Sequence, residues 1–196
     1  MGQIKVTKCP IEGLYIIEPA VHGDNRGYFM ETYVEKDFIE GGIDAKFVQD
    51  NQSSSTYGVL RGMHFQKEHT QAKLVRVVKG EVYDVAVDLR KGSPTFGKYV
   101  GVLLSAENKK QFFIPKYFAH GFLVRSEEAE FCYKVDDYYA PGSEIGLMWN
   151  DPTIGIEWPE VIGEYHGCAS AEGYRLADGT ALKLSEKDQN WPCIVR

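Results

Sequence analysis

The stretch from residue 58 to residue 139 decides the fold: GVLRGMHFQ (58–66), AKLVRVV (72–78), EVYDVAVDL (81–89), KYVGVLL (98–104), QFFIP (111–115), AHGFLV (119–124) and EFCYKVDDYY (130–139). Each run is rich in β-branched and aromatic residues, and their starts recur at intervals near ten. Between them stand plausible turns at Lys79-Gly80, Arg90 to Pro94, Ala106 to Asn108 and Ser126 to Ala129. Short strands with regular turn punctuation predict an all-β sandwich or barrel. Outward from this block, LYIIE (14–18) and KFVQDNQ (46–52) read as further strands. Helix signals are confined to Glu35 to Glu40, closed by Gly41-Gly42, and to the start of a short terminal helix at Ser185 to Asp188. From about residue 150 the pattern gives way to Pro152, Pro159 and a Gly-rich run from Gly163 to Gly179, an irregular segment wrapped over the strands of a single domain, 1–196.

Composition excludes several classes. A chain of 196 residues, 43% hydrophobic and 26% charged, is long enough to bury roughly 70% of its unfolded surface, so the chain is expected to be globular. No window approaches about 18 uninterrupted apolar residues, and the first thirty residues lack the charge and apolar pattern of a secretory signal, so neither a membrane span nor export is expected. A net charge of −6 argues against sequence-independent nucleic-acid binding, and any anionic ligand must be caught locally. Cys9, Cys132, Cys168 and Cys193 stand far apart with no C-x-x-C pair, which points to reduced thiols and a cytoplasmic setting.

Alternation sorts the side chains. Phe131, Tyr133, Val135, Asp137 and Tyr139 share one face of their strand, and Lys73, Val75 and Val77 share one face of theirs. Polar groups among apolar ones on an inner face suggest a ligand cavity, although the tyrosines could equally fill a core with their hydroxyls at the rim. His64 lies mid-strand, where a histidine serves structure more often than chemistry. Arg61 and Lys73 nearby make it part of a local cation cluster suited to a diphosphate or a developing oxyanion. His120 sits in a second apolar run. Position 66, where an H-x-H metal pair would place its second histidine, is Gln66, so the site reads as metal-free.

Taken in order, the run Asp24-Asn25-Arg26-Gly27-Tyr28-Phe29-Met30-Glu31, then Gln49-Asp50-Asn51, VLRGMHFQ, GEVYDVAVDLRKGSPTFGK, LSAENKKQFFIPKYFAHGF, EFCYKVDDYYAPGSE, DPTIGIEWP and LSEKD resembles the dTDP-4-dehydrorhamnose 3,5-epimerases from about residue 10 to about residue 190. The resemblance implies a cupin-type double-stranded β-helix, a jelly-roll barrel with short peripheral helices, and a homodimer that exchanges N-terminal strands. It implies epimerisation at C3 and C5 of dTDP-4-dehydro-6-deoxy-D-glucose, giving dTDP-4-dehydro-L-rhamnose, without metal or coenzyme. The catalytic residues it implies are His64 as base, Asp188 as its carboxylate partner, Tyr133 as opposing acid and Lys73 beside the C4 oxygen. Arg26, Glu31, Gln49, Asp50, Asn51, Arg61, His120, Glu144 and Lys187 match nucleotide and phosphate contacts, and Tyr139 matches the ring that stacks on thymine.

One detail resists simple alternation: Arg61 and His64, three apart, face opposite sides of an ideal strand, so either Gly62 forms a bulge or Arg61 serves a neighbouring subunit. The chain also departs from the family pattern. His22 stands where an aromatic is common, Met63 and Phe65 replace Leu and Tyr, and the segment from Val161 to Lys183 is longer than usual. The alternatives are a relative acting on another nucleotide-4-keto-sugar or on one carbon only, and a non-catalytic nucleotide-sugar-binding cupin. A metal-dependent cupin oxygenase is disfavoured by Gln66.

Overall fold

The computed structural model describes residues 4–163 and 171–194. Along the chain run β1 (Ile4–Lys8), β2 (Tyr15–Pro19), the hairpin β3 (His22–Asp24) and β4 (Gly27–Phe29), α1 (Glu35–Glu40), β5 (Gln49–Thr56), β6 (Leu60–Gln66), β7 (Lys73–Lys79), β8 (Glu81–Asp88), β9 (Tyr99–Ser105), β10 (Gln111–Ile114), β11 (Phe118–Val124), β12 (Glu128–Val135) and β13 (Glu144–Gly146). The pair β14 (Val161–Ile162) and β15 (Arg175–Leu176) and a 3₁₀ turn at Lys187–Gln189 follow. Two sheets result, ordered β1-β2-β10-β7-β12-β5 and β13-β6-β11-β8-β9. Among the described residues no ladder joins them, so the expected barrel is a two-sheet jelly roll.

The near-continuous apolar run of β8 reflects burial on both faces. Val82 and Ala86 point inward and meet Val75, Phe112, Phe122 and Phe131 in the core between the sheets. Val85 and Val87 point outward beneath Leu147, Trp149, Trp158 and Leu182, supplied by the chain after β13. Phe38 of α1, 1% exposed, caps Ile17, Leu74 and Phe113 on the outer face of the other sheet. Each such side chain is worth ~2 kcal/mol of transfer free energy.

The structure amends several boundaries. The strand expected at 46–52 begins at Gln49 and runs on to Thr56, because the edge strand β5 is held by its ladder to β12 and needs no apolar pattern. Strands β1, β3, β4 and β13 carried no clear signal, and the terminal helix is a single 3₁₀ turn. Within the chain β1 pairs with β2 and β2 with β10, whereas β3 and β4 form a ladder of their own. Reduced thiols hold for Cys9 and Cys132, which are free, but Cys193 is disulfide-bonded. Motif spacing could not show this, since a disulfide needs only nearness in space. Cys168 lies outside the described residues.

At β6 the structure decides between the two alternatives for Arg61. On β11, His120 pairs with His64 and Phe122 with Arg61, so two steps there span three on β6. The extra residue rephases the alternation, and Arg61 and His64 open on the same cavity. Gly62 makes this possible with φ at +129°. A Cβ on Gly62 would stand 2.6 Å from the Gly121 Cα. Gly62→Ala is therefore expected to cost at least ~2 kcal/mol in urea unfolding, whereas Gly23→Ala, with ordinary φ and open surroundings, should change little. Equal stability of Gly62→Ala and the parent chain would remove the bulge argument.

Candidate active site

A cavity of about 340 Å³ lies between the sheets. From the five-stranded sheet it receives His64, His120 and Phe122, and from the six-stranded sheet Ser53, Lys73, Phe131 and Tyr133. Arg61, Tyr139 and Lys187 are its more exposed lining groups, with Glu144 half-buried beside them. Imidazole and phenol thus enter from opposite walls.

The His64 Nε2 atom bonds to Asp188 Oδ1, 124 residues away in sequence. Asp188 is 2% exposed, and it also accepts from the Gly62 N–H at 3.4 Å and the Trp191 Nε1–H at 3.2 Å. Burial opposes its charge, but the bonds from His64, Gly62 and Trp191 outweigh that and hold its pKa below the ordinary value. A charged acceptor at Nε2 makes that nitrogen the hydrogen-bearing one, which leaves the lone pair on Nδ1, 3.8 Å from Glu144 Oε1. Glu144 is in turn bonded to Lys187 at 2.7 Å.

Deeper in the cavity lies a second cluster. Burial pushes the Lys73 ammonium down to about 8, with Asp84 and Glu144 opposing the shift. Asp84, 0% exposed, bonds through Oδ2 to His120 Nε2 at 2.8 Å, and its Oδ1 has no hydrogen-bond partner among the described residues. Burial raises Asp84 and lowers His120, each against the pull of the other. The His120 ring stacks on Phe131, and Phe131 on Phe122. Burial likewise raises the Tyr133 phenol, against Arg61, so its proton is kept at neutral pH.

Gln66, at the position of the absent H-x-H histidine, is committed to the backbone: its amide donates to His69 O and Tyr138 O and accepts from the Ala140 N–H. It thereby shapes the loop that carries Tyr139. Among the described residues no group of three or more His, Cys, Asp or Glu is arranged to hold a metal ion.

The model of the dTDP-4-dehydrorhamnose 3,5-epimerase family matches residues 8–195. The chain belongs to this family. It is 49% identical to the dTDP-4-dehydrorhamnose 3,5-epimerase of Methanothermobacter thermautotrophicus over 97% of this chain and 95% of that one. The crystal structure of a Legionella pneumophila dTDP-6-deoxy-D-glucose-3,5-epimerase in complex with dTDP-4-keto-L-rhamnose is 48% identical, with a TM-score of 0.85, covering 97% of this chain and 92% of that one. At 31% identity and a TM-score of 0.80, a 3'-monoepimerase from Streptomyces bikiniensis in complex with dTDP-quinovose covers 94% of this chain and 85% of its own. The two-sheet architecture of this epimerase family is of the cupin type.

Of the residues singled out in the sequence, His64, Lys73, Arg61, His120, Tyr133, Tyr139, Glu144 and Lys187 line one cavity, with Asp188 behind His64. His120 lies on the floor, more deeply than a phosphate contact requires. Gln49 and Asn51 share the β5 face of Ser53, and Gln49 accepts from the Tyr139 N–H at 3.3 Å. Asp50 points to the other face and pairs with Lys134. Arg26 and Glu31 are exposed and line no part of the cavity within this chain; Arg26 is bonded to Asp24 in the β3–β4 hairpin. Sequence reasoning missed Asp84 and Trp191. An aspartate between Val82 and Ala86 on an inner face was the available sign for Asp84, and Trp191 offered none.

Because the folded pKa of Asp188 is depressed, its contribution to stability is fully present above the unfolded value near 3.8 and is lost as pH falls through the folded one. Asp188→Asn is expected to lower stability by ~1–3 kcal/mol in urea unfolding at pH 7, with the share owed to the carboxylate's charge lost below pH 3.8. An Asp188→Asn chain as stable as the parent at pH 7 would contradict the assignment.

Proposed function

We propose that this protein is an isomerase that epimerises C3 and C5 of dTDP-4-dehydro-6-deoxy-D-glucose, giving dTDP-4-dehydro-L-rhamnose, by proton transfer through an enolate without metal or coenzyme. The observation that carries this reading is a carboxylate-paired imidazole and a protonated phenol on opposite walls of a cavity that also holds a buried ammonium.

A C–H beside a ketone is acidic enough to lose only if the enolate oxygen meets positive charge as it forms. Lys73, mostly protonated at neutral pH and poorly hydrated, supplies that charge at the C4 oxygen. His64 takes the proton, and Asp188 stabilises the imidazolium that results. Tyr133 delivers a proton to the opposite face, which inverts the carbon. Asp84 and His120 hold the floor around Lys73 against the sugar. Towards the mouth, Arg61 and Lys187 bind the diphosphate, Glu144 orients Lys187, and Tyr139 stacks on thymine near Gln49 and Asn51, while Asp50, matched to a nucleotide contact by the resemblance, faces away and is held by Lys134.

Arg26 and Glu31 act in a homodimer, carried into a partner's site by the β3–β4 hairpin, whose Tyr28 and Phe29 are 60% and 66% exposed. The chain works as one domain, since the segment from about 150 supplies Asp188 to a site on the sheets. No helix among the described residues is long and apolar enough to cross a membrane. The nucleotide-sugar substrate gives the reaction a cytoplasmic setting, for which the Cys193 disulfide withdraws the thiol argument. The similarity to a monoepimerase favours a second reading, inversion at one carbon only.

Incubation with dTDP-4-dehydro-6-deoxy-D-glucose in heavy water, with the label located by NMR, tests the reading. Deuterium at both C3 and C5 is expected; label at one carbon selects the second reading, and at neither refutes both. His64→Ala should lose at least ~100-fold in exchange and turnover. Tyr133→Phe should lose inversion far more than exchange, because enolate formation still has His64 and Lys73. Equal losses of inversion and exchange in Tyr133→Phe would take away its role as the far-face acid.

A further inference from the structure

The last described residues, 191–194, are fastened beside β13. The Met148 N–H donates to Pro192 O at 3.0 Å, the Ile194 N–H donates to the Asp151 carboxylate at 2.5 Å, and Cys193 is disulfide-bonded. This clasp sets the Trp191 indole directly over Gly146, where a Cβ would come within 2.5 Å of the ring. The indole meets the His64 ring edge-on at 6.3 Å, and its Nε1–H donates to Asp188 Oδ1, the same oxygen that bonds His64.

We propose that Trp191 is a positioning residue for the epimerisation: its indole N–H fixes the Asp188 carboxylate and, through it, the imidazole of His64. The inference rests on the reading of His64 as the base. Among the described residues Oδ1 has two donors and Oδ2 the longer Gly62 contact, so the indole is what opposes rotation of the carboxylate about its Cβ–Cγ bond. It also draws charge from Oδ1. Without it Oδ1 keeps a single donor, and the carboxylate is freer to turn away from the imidazole. The other charged groups facing the dyad are Glu144 on β13, Lys187 on the 3₁₀ turn, His120 on β11, Arg61 on β6 and Lys73 on β7. All of them stay in place when the indole nitrogen alone is removed.

The test replaces Trp191 by Phe and, to keep the ring's shape while deleting only the N–H, by 3-benzothienylalanine. Values of kcat and KM are measured beside those of His64→Ala. Both Trp191 variants are expected to lose about tenfold in kcat with KM within about twofold, the scale of one hydrogen bond to a charged group. If Trp191→Phe fails to fold, the benzothienyl variant decides. A folded benzothienyl variant with the parent's kcat, or with a change in KM alone, overturns the inference. Should His64→Ala itself stay active, the reading of His64 as base fails first. Should it be inactive while the benzothienyl variant matches the parent, the inference about Trp191 alone fails.

Discussion

An ammonium held between two sheets has to be compensated, and the compensation of Lys73 organises this cavity. The strand that carries Lys73 also sends Val75 into the core, so the side chain emerges from apolar packing and its charge is poorly hydrated. Asp84 faces it from the opposite sheet, too buried to be stable alone, and is steadied by the bond to His120. His120 is steadied in turn by stacking on Phe131. Lys73, Asp84 and His120 are each disfavoured by burial and offset by a neighbour, so the floor holds a ready cation.

A second constraint comes from the far end of the chain. Leu60 and Lys183 exchange backbone contacts near the start of β6, with the Leu60 N–H donating to Lys183 O and the Lys183 N–H to Gly58 O. This splice sets the following turn behind β6, so that Asp188 meets His64 and Lys187 meets Glu144. The length of the segment from Val161 to Lys183 therefore matters little to the site, because the chain is returned to the sheet at Lys183.

Much of the inner face was legible because period-two alternation is enforced wherever a strand packs on a core. Phe131, Tyr133 and Val135 on β12, and Lys73 and Val75 on β7, follow it. Legibility failed where the ladder, not burial, decides: the polar half of β5, the three-residue β13 and the β3–β4 hairpin have no apolar rhythm to read. It failed at Arg61 because the bulge at Gly62 breaks the alternation. It failed at Trp191 because His64 and Gly146, against which its ring packs, are far from it in sequence, and at Cys193 because spacing does not reveal a disulfide. The site residues matched through the family resemblance came with roles attached, and the cavity adds what alternation cannot give, such as the floor position of His120 and the opposite orientation of Asp50.

The claim at the centre is that burial holds the Lys73 ammonium close to losing its proton while it faces the cavity. Heteronuclear NMR titration of the lysine side-chain resonances, with Lys73 assigned by comparison with Lys73→Arg, measures this directly. A Lys73 midpoint near 8 is the result expected. A midpoint near 10.5, the value of an ordinary exposed lysine, would contradict the account.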